Sequence, residues 1–393
     1  MPSEFRKVLF QTRIFYSIAL ILILLNCLFA NEMKKNMAYF YLGTYTRHLS
    51  AQEKKENGIS RWSVNVNTGV LTKIGGDWPI EDSSHLCMSL DEKFLYSITE
   101  GSTFRGKKDG YLTVFSVKDD GNLEEIQKKS SEGIGPAYLH LDRTGKYLLL
   151  ANYLAGNVVV YPINKNGLLG EPTDNKMHSG QSINSDRQEQ PHPHAFIPSP
   201  DNNFAYVPDL GTDKIHIYQF DSDNGTLTVR EDLNVKVKAG SGPRHLIFHP
   251  LGKYAYMTLE LSGQVAAYQY NSGNLIPIGT YDLVQKHETS QSAEIRITPD
   301  GKFLYASNRI HNSITGFQIN NSTGELKKIQ VISTSGQTPR NFNIDPSGSC
   351  LVVGNKDSNT IISFKIDKES GKLKSFNNIV NSNSPVLFYF QKQ

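Results

Sequence analysis

Histidine, arginine and glutamate recur in this chain at intervals that suit the handling of a carbonyl-containing or anionic ligand. His194 and Arg244 lie 50 residues apart, and Glu260 and Arg309 lie 49 apart. An imidazole or a carboxylate can take a proton from water, and a guanidinium can hold an anion or a developing oxyanion. The 393-residue sequence has no Gly-x-Ser-x-Gly nucleophile motif, no P-loop and no dinucleotide fingerprint. The chemistry open to it is therefore acid–base and electrostatic, and no cofactor is expected. No metal is expected either, because the histidine pair of Gln190-Pro-His-Pro-His194 has no carboxylate at a defined spacing.

The intervals are those of a repeat. A turn signature recurs at Asn67-Thr-Gly69, Asp120-Gly121, Asn166-Gly167, Asn224-Gly225, Ser272-Gly273, Thr323-Gly324 and Ser370-Gly371, and its glycines are 52, 46, 58, 48, 51 and 47 residues apart. Each follows an alternating stretch such as Ile215-His-Ile-Tyr-Gln-Phe220, so each unit contains a strand, a tight turn and a strand. A second turn lies between these hairpins, as in Pro250-Leu-Gly-Lys-Tyr-Ala-Tyr256 and Pro299-Asp-Gly-Lys-Phe-Leu-Tyr305. Four short strands per unit, without helical periodicity after residue 36, predict an all-β fold, a seven-bladed β-propeller. Six turns of the second kind stand against seven of the first. Ser384-Pro-Val-Leu-Phe-Tyr-Phe390 resembles the run before the missing turn, and Tyr39–Tyr45 the run after it. The N- and C-terminal strands should pair in one blade and close the ring.

Aligning the units on the second turn identifies the positions that face the channel. Six residues before the proline stand Ser84, Ala137, His194, Arg244, Ala293, Arg340 and, in the closing blade, Val386. Ten residues after it stand Glu100, Tyr153, Leu210, Glu260, Arg309 and Lys356, with Tyr45 as the closing equivalent. Consecutive strands run antiparallel, so both slots should meet at one rim of the ring. A lone member such as Lys356 or Glu100 needs no role beyond lining a water-filled channel. His194, Arg244, Glu260 and Arg309 bring complementary groups from consecutive units to that rim, which a random lining does not account for. Asp209 and Asn308, one residue before their slots, are expected there as substrate-binding groups. His192 should be a loop residue, and His245 and His249, which alternate with the channel position, should pack between blades.

Composition sets the surroundings. Residues 1–36 hold five basic and two acidic side chains, which leaves 36 of each sign in residues 37–393. A neutral body excludes a nucleic-acid or polyanion binder. The apolar stretch Ile14–Ala30, 17 residues behind Arg6, Lys7 and Arg13, has the layout of a secretory signal peptide, with an uncleaved membrane anchor as the competing reading. The expected division is thus a signal or anchor over 1–36 and a propeller over 37–393, in an exported protein that meets a membrane only through its N-terminal segment. Cys87 and Cys350 fall far apart in the repeat scheme and are expected as two unlinked, buried side chains.

Gly242-Pro-Arg-His-Leu-Ile-Phe-His-Pro250, Glu260-Leu, the run from Ile297 to Asn308-Arg309, Pro339-Arg-Asn-Phe and Tyr41-Leu-Gly-Thr-Tyr45 together resemble the lactonase seven-bladed propeller family over about residues 38–390. That family includes the propeller-type 6-phosphogluconolactonases and is related to the carboxy-muconate cyclases. The resemblance implies a hydrolase that opens a small, anionic sugar lactone by general-base attack of water, with His194, Arg244 and Glu260 as catalytic residues. It implies substrate binding by Asn308, Arg309 and Arg340. It leaves the base open between His194 and Glu260, and gives Arg296 no clear counterpart. Two other outcomes stand beside it: a non-catalytic exported propeller that binds a ligand or protein, and a cyclase running in the lactone-forming direction.

Overall fold

The computed structural model describes residues 36–50, 52–101, 106, 108–285 and 288–392. The expected leader, apart from Asn36, lies outside the described residues. Seven antiparallel sheets form the blades of a propeller. Blade 1 pairs Pro385–Phe390 with Met37–Thr44, followed outward by Gly58–Asn65 and Leu71–Pro79. Blades 2 to 7 occupy residues 86–130, 136–177, 197–236, 243–282, 292–333 and 339–381. From blade 5 through blades 6, 7, 1 and 2 to blade 3, the first strands of successive blades contact one another around the axis, including Pro385–Phe390 against its neighbours on both sides. The ring is therefore closed by the pairing of the two terminal strands, as the turn count predicts.

Burial follows from this stacking. Second strands lie between neighbouring blades and are covered on both faces, so Tyr147–Asn152, Tyr254–Leu259, Phe303–Asn308 and Cys350–Asn355 are buried at every residue. Outer strands such as Leu71–Pro79 meet solvent and bury little. The seven repeat glycines all have φ between 67° and 92°, a region that other residues enter at a cost. Their carbonyls are also read by the preceding blade. Tyr41, Tyr96, Tyr206, Tyr256 and Tyr305 donate their hydroxyls to Gly121, Gly167, Gly273, Gly324 and Gly371. Thr173 does the same for Gly225, and Ser363 for Gly69, so one polar stitch crosses every blade boundary.

No α-helix occurs among the described residues; two 3₁₀ turns lie at Glu53–Glu56 and Glu231–Leu233. None of the described residues forms a helix long and apolar enough to cross a membrane. Cys87 and Cys350 are buried and free.

Candidate active site

Glu260 follows the second strand of blade 5 directly and is fixed by its own backbone. Its N–H donates to the Gly242 carbonyl at 2.6 Å, and its carbonyl accepts from Ser292 of blade 6 at 3.2 Å. The carboxylate is 1% exposed and meets three guanidinium groups: Arg187 Nη2 at 2.7 Å and Arg309 Nη2 at 2.8 Å from Oε1, and Arg244 Nε at 2.9 Å from Oε2. His194 Nε2 stands 4.0 Å from Oε2. The slot alignment is thus borne out in space for His194, Arg244, Glu260 and Arg309, which share one mouth of the channel.

The remaining slot residues divide. Arg340 Nη2 lies 3.4 Å from Glu100 Oε2, which also accepts from the Tyr45 hydroxyl at 2.6 Å. Arg47, not singled out in the sequence, reaches Glu100 Oε1 at 3.4 Å. Tyr153 accepts from Arg187 Nη2 at 3.3 Å and stacks on His192, a loop residue as expected. Lys356 pairs with its neighbour Asp357 and takes no part.

Asp209 and Asn308 are corrections. In a strand, neighbouring side chains point to opposite faces, so a residue one place before the slot turns away from the mouth. Asn308 is spent on Ser290, Ser313 and Thr315. Asp209 Oδ1 accepts the N–H groups of His192, Gly211 and Thr212, while Oδ2 takes His178 Nδ1 at 2.7 Å. It anchors a loop. With His216, these residues form the group among the described residues whose ligand atoms lie close enough for a metal ion, within 4.8 Å. Hydrogen bonds already engage both His178 nitrogens, the second with the Tyr218 hydroxyl at 2.9 Å.

His245 is a further correction. The innermost strand of blade 5 carries a bulge between Pro243 and Leu246, and a bulge breaks the alternation that would have sent His245 between blades. Instead it lies below Arg244, with its Nε2 3.1 Å from Arg244 Nη1 and its Nδ1 3.2 Å from Glu294 Oε1. Blades 3, 6 and 7 have irregularities at the same place, and Tyr138, Glu294 and Asn341 fill this second layer. His249 does pack between blades, meeting the Gly301 carbonyl at 2.9 Å.

Sequence reasoning missed Arg187. It sits in the strandless segment between Met177 and Ile197, at a position with no equivalent in the other units. Ser182 Oγ donates to Asp213 and Gln188 Nε2 to the Leu210 carbonyl. The segment passes so close to Gly211 that a Cβ there would stand 1.8 Å from the Gln190 oxygen. The signal was present in the 58-residue glycine spacing, the longest of the six.

Electrostatics set the protonation states. Burial alone would raise the Glu260 pKa, but Arg309 and Arg244 outweigh it and hold the carboxyl well below the usual range. Burial, aided by Arg244, holds His194 well below 6.5, so its imidazole is neutral at pH 7. Burial also pulls Arg244 down to about 10, against the opposing pull of Glu260. Three guanidiniums against one carboxylate leave two positive charges in surplus. His194 Nδ1 and Arg309 Nε are buried without a hydrogen-bond partner among the described residues, and the short Arg244 Nε–Glu260 Oε2 ion pair is too poorly aligned to count as a hydrogen bond. Buried polar atoms left without aligned partners are rare in native interiors, and their gathering in one place marks a surface shaped for a ligand.

Comparison with known proteins agrees with the seven-bladed fold. The sequence model of the family "Lactonase, 7-bladed beta-propeller" matches residues 39–390. A 6-phosphogluconolactonase of Formosa agariphila is 36% identical over 309 residues, 77% of this chain and 85% of the relative. One of Bacillus subtilis is 32% identical over 77% of this chain and 83% of its own length. Among solved structures, a periplasmic gluconolactonase of Pseudomonas aeruginosa superposes with a TM-score of 0.82 at 28% identity, covering 90% of this chain and 99% of the other.

Proposed function

The chain belongs to the lactonase seven-bladed propeller family, and from that premise we propose that it hydrolyses the ring ester of an anionic sugar lactone. The observation that carries the reading is the group of buried polar atoms without aligned hydrogen-bond partners in a mouth with surplus positive charge. The surplus arginines take the phosphate or carboxylate of the substrate. Arg244 and Arg309 face the lactone carbonyl.

His194 is the base. Its Nε2 turns toward Glu260, which favours the proton there and leaves the lone pair on Nδ1, the unpaired atom. Water loses a proton to Nδ1 as its oxygen bonds to the carbonyl carbon, and the resulting oxyanion is held by the guanidiniums. Collapse breaks the bond to the ring oxygen, which takes the proton back from His194 and leaves as a hydroxyl. Glu260, ionised and gripped by three arginines, is a poor proton acceptor and serves to position them. The anion of the substrate offsets the field of Arg244 and Arg340, which raises His194 basicity when it is needed.

The signal-like leader and the periplasmic relative support a reaction outside the cytoplasm. A pH-stat assay on 6-phosphoglucono-δ-lactone, a carboxylate-bearing glucarolactone and neutral glucono-δ-lactone tests the activity. Ring opening should exceed the spontaneous rate, most for the anionic lactones, and Arg244→Ala should lose about 10²–10³ in kcat. The lactonase reading fails if no lactone opens faster than in buffer. Full activity in His194→Ala removes that residue from the mechanism. Cell fractionation tests export, which a purely cytosolic protein would contradict.

A further inference from the structure

The innermost strands run from the mouth to the opposite face, where their C-terminal ends line a cavity of about 310 Å³ that the proposed reaction does not use. Its walls are largely apolar, with Cys87 and Leu90 from blade 2, Leu139 from blade 3 and Leu387 from blade 1. A smaller cavity of about 150 Å³ adjoins it and shares Tyr138, His140 and Arg296. Arg296 is the arginine to which the family resemblance gave no role.

Three observations describe what would fit. Arg296 Nη1 is held by Glu294 Oε1 at 3.0 Å and faces the Ile295 carbonyl at 3.4 Å, while Nε and Nη2 have no partner among the described residues. His85 lines the cavity, is 7% exposed, and has neither ring nitrogen hydrogen-bonded among the described residues. A neutral imidazole in that position offers one donor and one acceptor. At the rim, the Lys392 ammonium donates to the Leu90 carbonyl and adds a positive charge. A sugar would leave its hydroxyls against apolar walls, and a hydrocarbon would leave the guanidinium and imidazole unmatched.

We propose that the far-end cavity binds a small amphipathic carboxylate, an aromatic or short-chain aliphatic acid, with its anionic head on Arg296 and its apolar body between Cys87, Leu139 and Leu387. The planar fork of a guanidinium suits a carboxylate, and burial of the acid's apolar body supplies the rest of the affinity.

Isothermal titration of the full chain with 3-phenylpropionate tests this, with the neutral amide 3-phenylpropionamide as control. The acid should bind saturably at a single site, and the amide about tenfold more weakly or worse. Arg296→Met should lose binding to the same degree as the amide. Leu90 is 52% exposed, so Leu90→Glu leaves the fold intact while its carboxylate repels the acid. Arg309→Ala, at the mouth, should bind as wild type does. Equal binding of acid and amide, undiminished binding by Leu90→Glu, or loss of binding in Arg309→Ala would each overturn the proposal. So would the absence of any heat with 3-phenylpropionate, benzoate and hexanoate alike.

Discussion

Blades 5 and 6 each place one glutamate in the channel, and the two are buried alike at 1% exposure. Their surroundings differ. Glu294 meets one guanidinium, Arg296, and its other contacts are neutral or nearly so: the His245 ring, the Asn341 amide and the Ile295 N–H. Charge is balanced and both oxygens are hydrogen-bonded. Glu260 meets three guanidiniums, and its Oε2 has no aligned donor. Burial of a charged group therefore does not distinguish a structural carboxylate from one in a site. The distinction lies in what is left over, namely surplus positive charge and a carboxylate oxygen without an aligned donor at Glu260 and neither at Glu294.

The strongest way to break that contrast is to neutralise each acid in turn. Glu260→Gln strands three arginines and should cost about 3–5 kcal/mol of stability, read by urea unfolding, together with nearly all lactone opening. Glu294→Gln should also destabilise, yet leave kcat/KM per folded molecule close to wild type. Equal losses of activity would erase the difference between the two glutamates. A finer probe is Arg187→Ala, which removes the most exposed of the three Glu260 partners. It should raise KM for an anionic lactone about tenfold with kcat little changed, and spare the neutral lactone. A change confined to kcat would assign Arg187 to the oxyanion instead.

The smallest effect expected is a shift of Tm with acid. Burial holds His85, His194 and His245 well below 6.5, and brings His140 down to about 4. As pH falls below 6.5, the unfolded chain takes up protons at these positions that the folded ring refuses, so stability must decline. Glu260 adds to the decline below its ordinary 4.5, since its folded pKa is depressed and its contribution is present only above that value. Scanning fluorimetry should show Tm falling steadily from pH 6.5 to 4. A constant Tm over that range would mean that the histidines are not held neutral.

How far the sequence could be read depended on whether a residue obeys the repeat. His194, Arg244, Glu260 and Arg309 occupy equivalent places in successive units, so a fifty-residue alignment suffices to bring them together. Asp209 and Asn308 were misplaced by one residue of strand parity, which reverses the face a side chain occupies. His245 and Glu294 were hidden by bulges, which have no marker in the sequence and restore to the channel a residue that alternation would remove. Arg187 was hidden for the opposite reason: it lies where the repeat is interrupted, and there is no second copy to align it with.

The closure of the ring fixes which way the molecule faces. Thr44 and Pro385 pair at the mouth end of blade 1, so Met37 and Phe390, at the other ends of those antiparallel strands, leave the ring on the opposite face. A support, a fusion partner or a membrane tether joined through either terminus thus holds the ring with its mouth toward open solution. The same attachment turns the Arg296 cavity toward whatever the chain is fastened to.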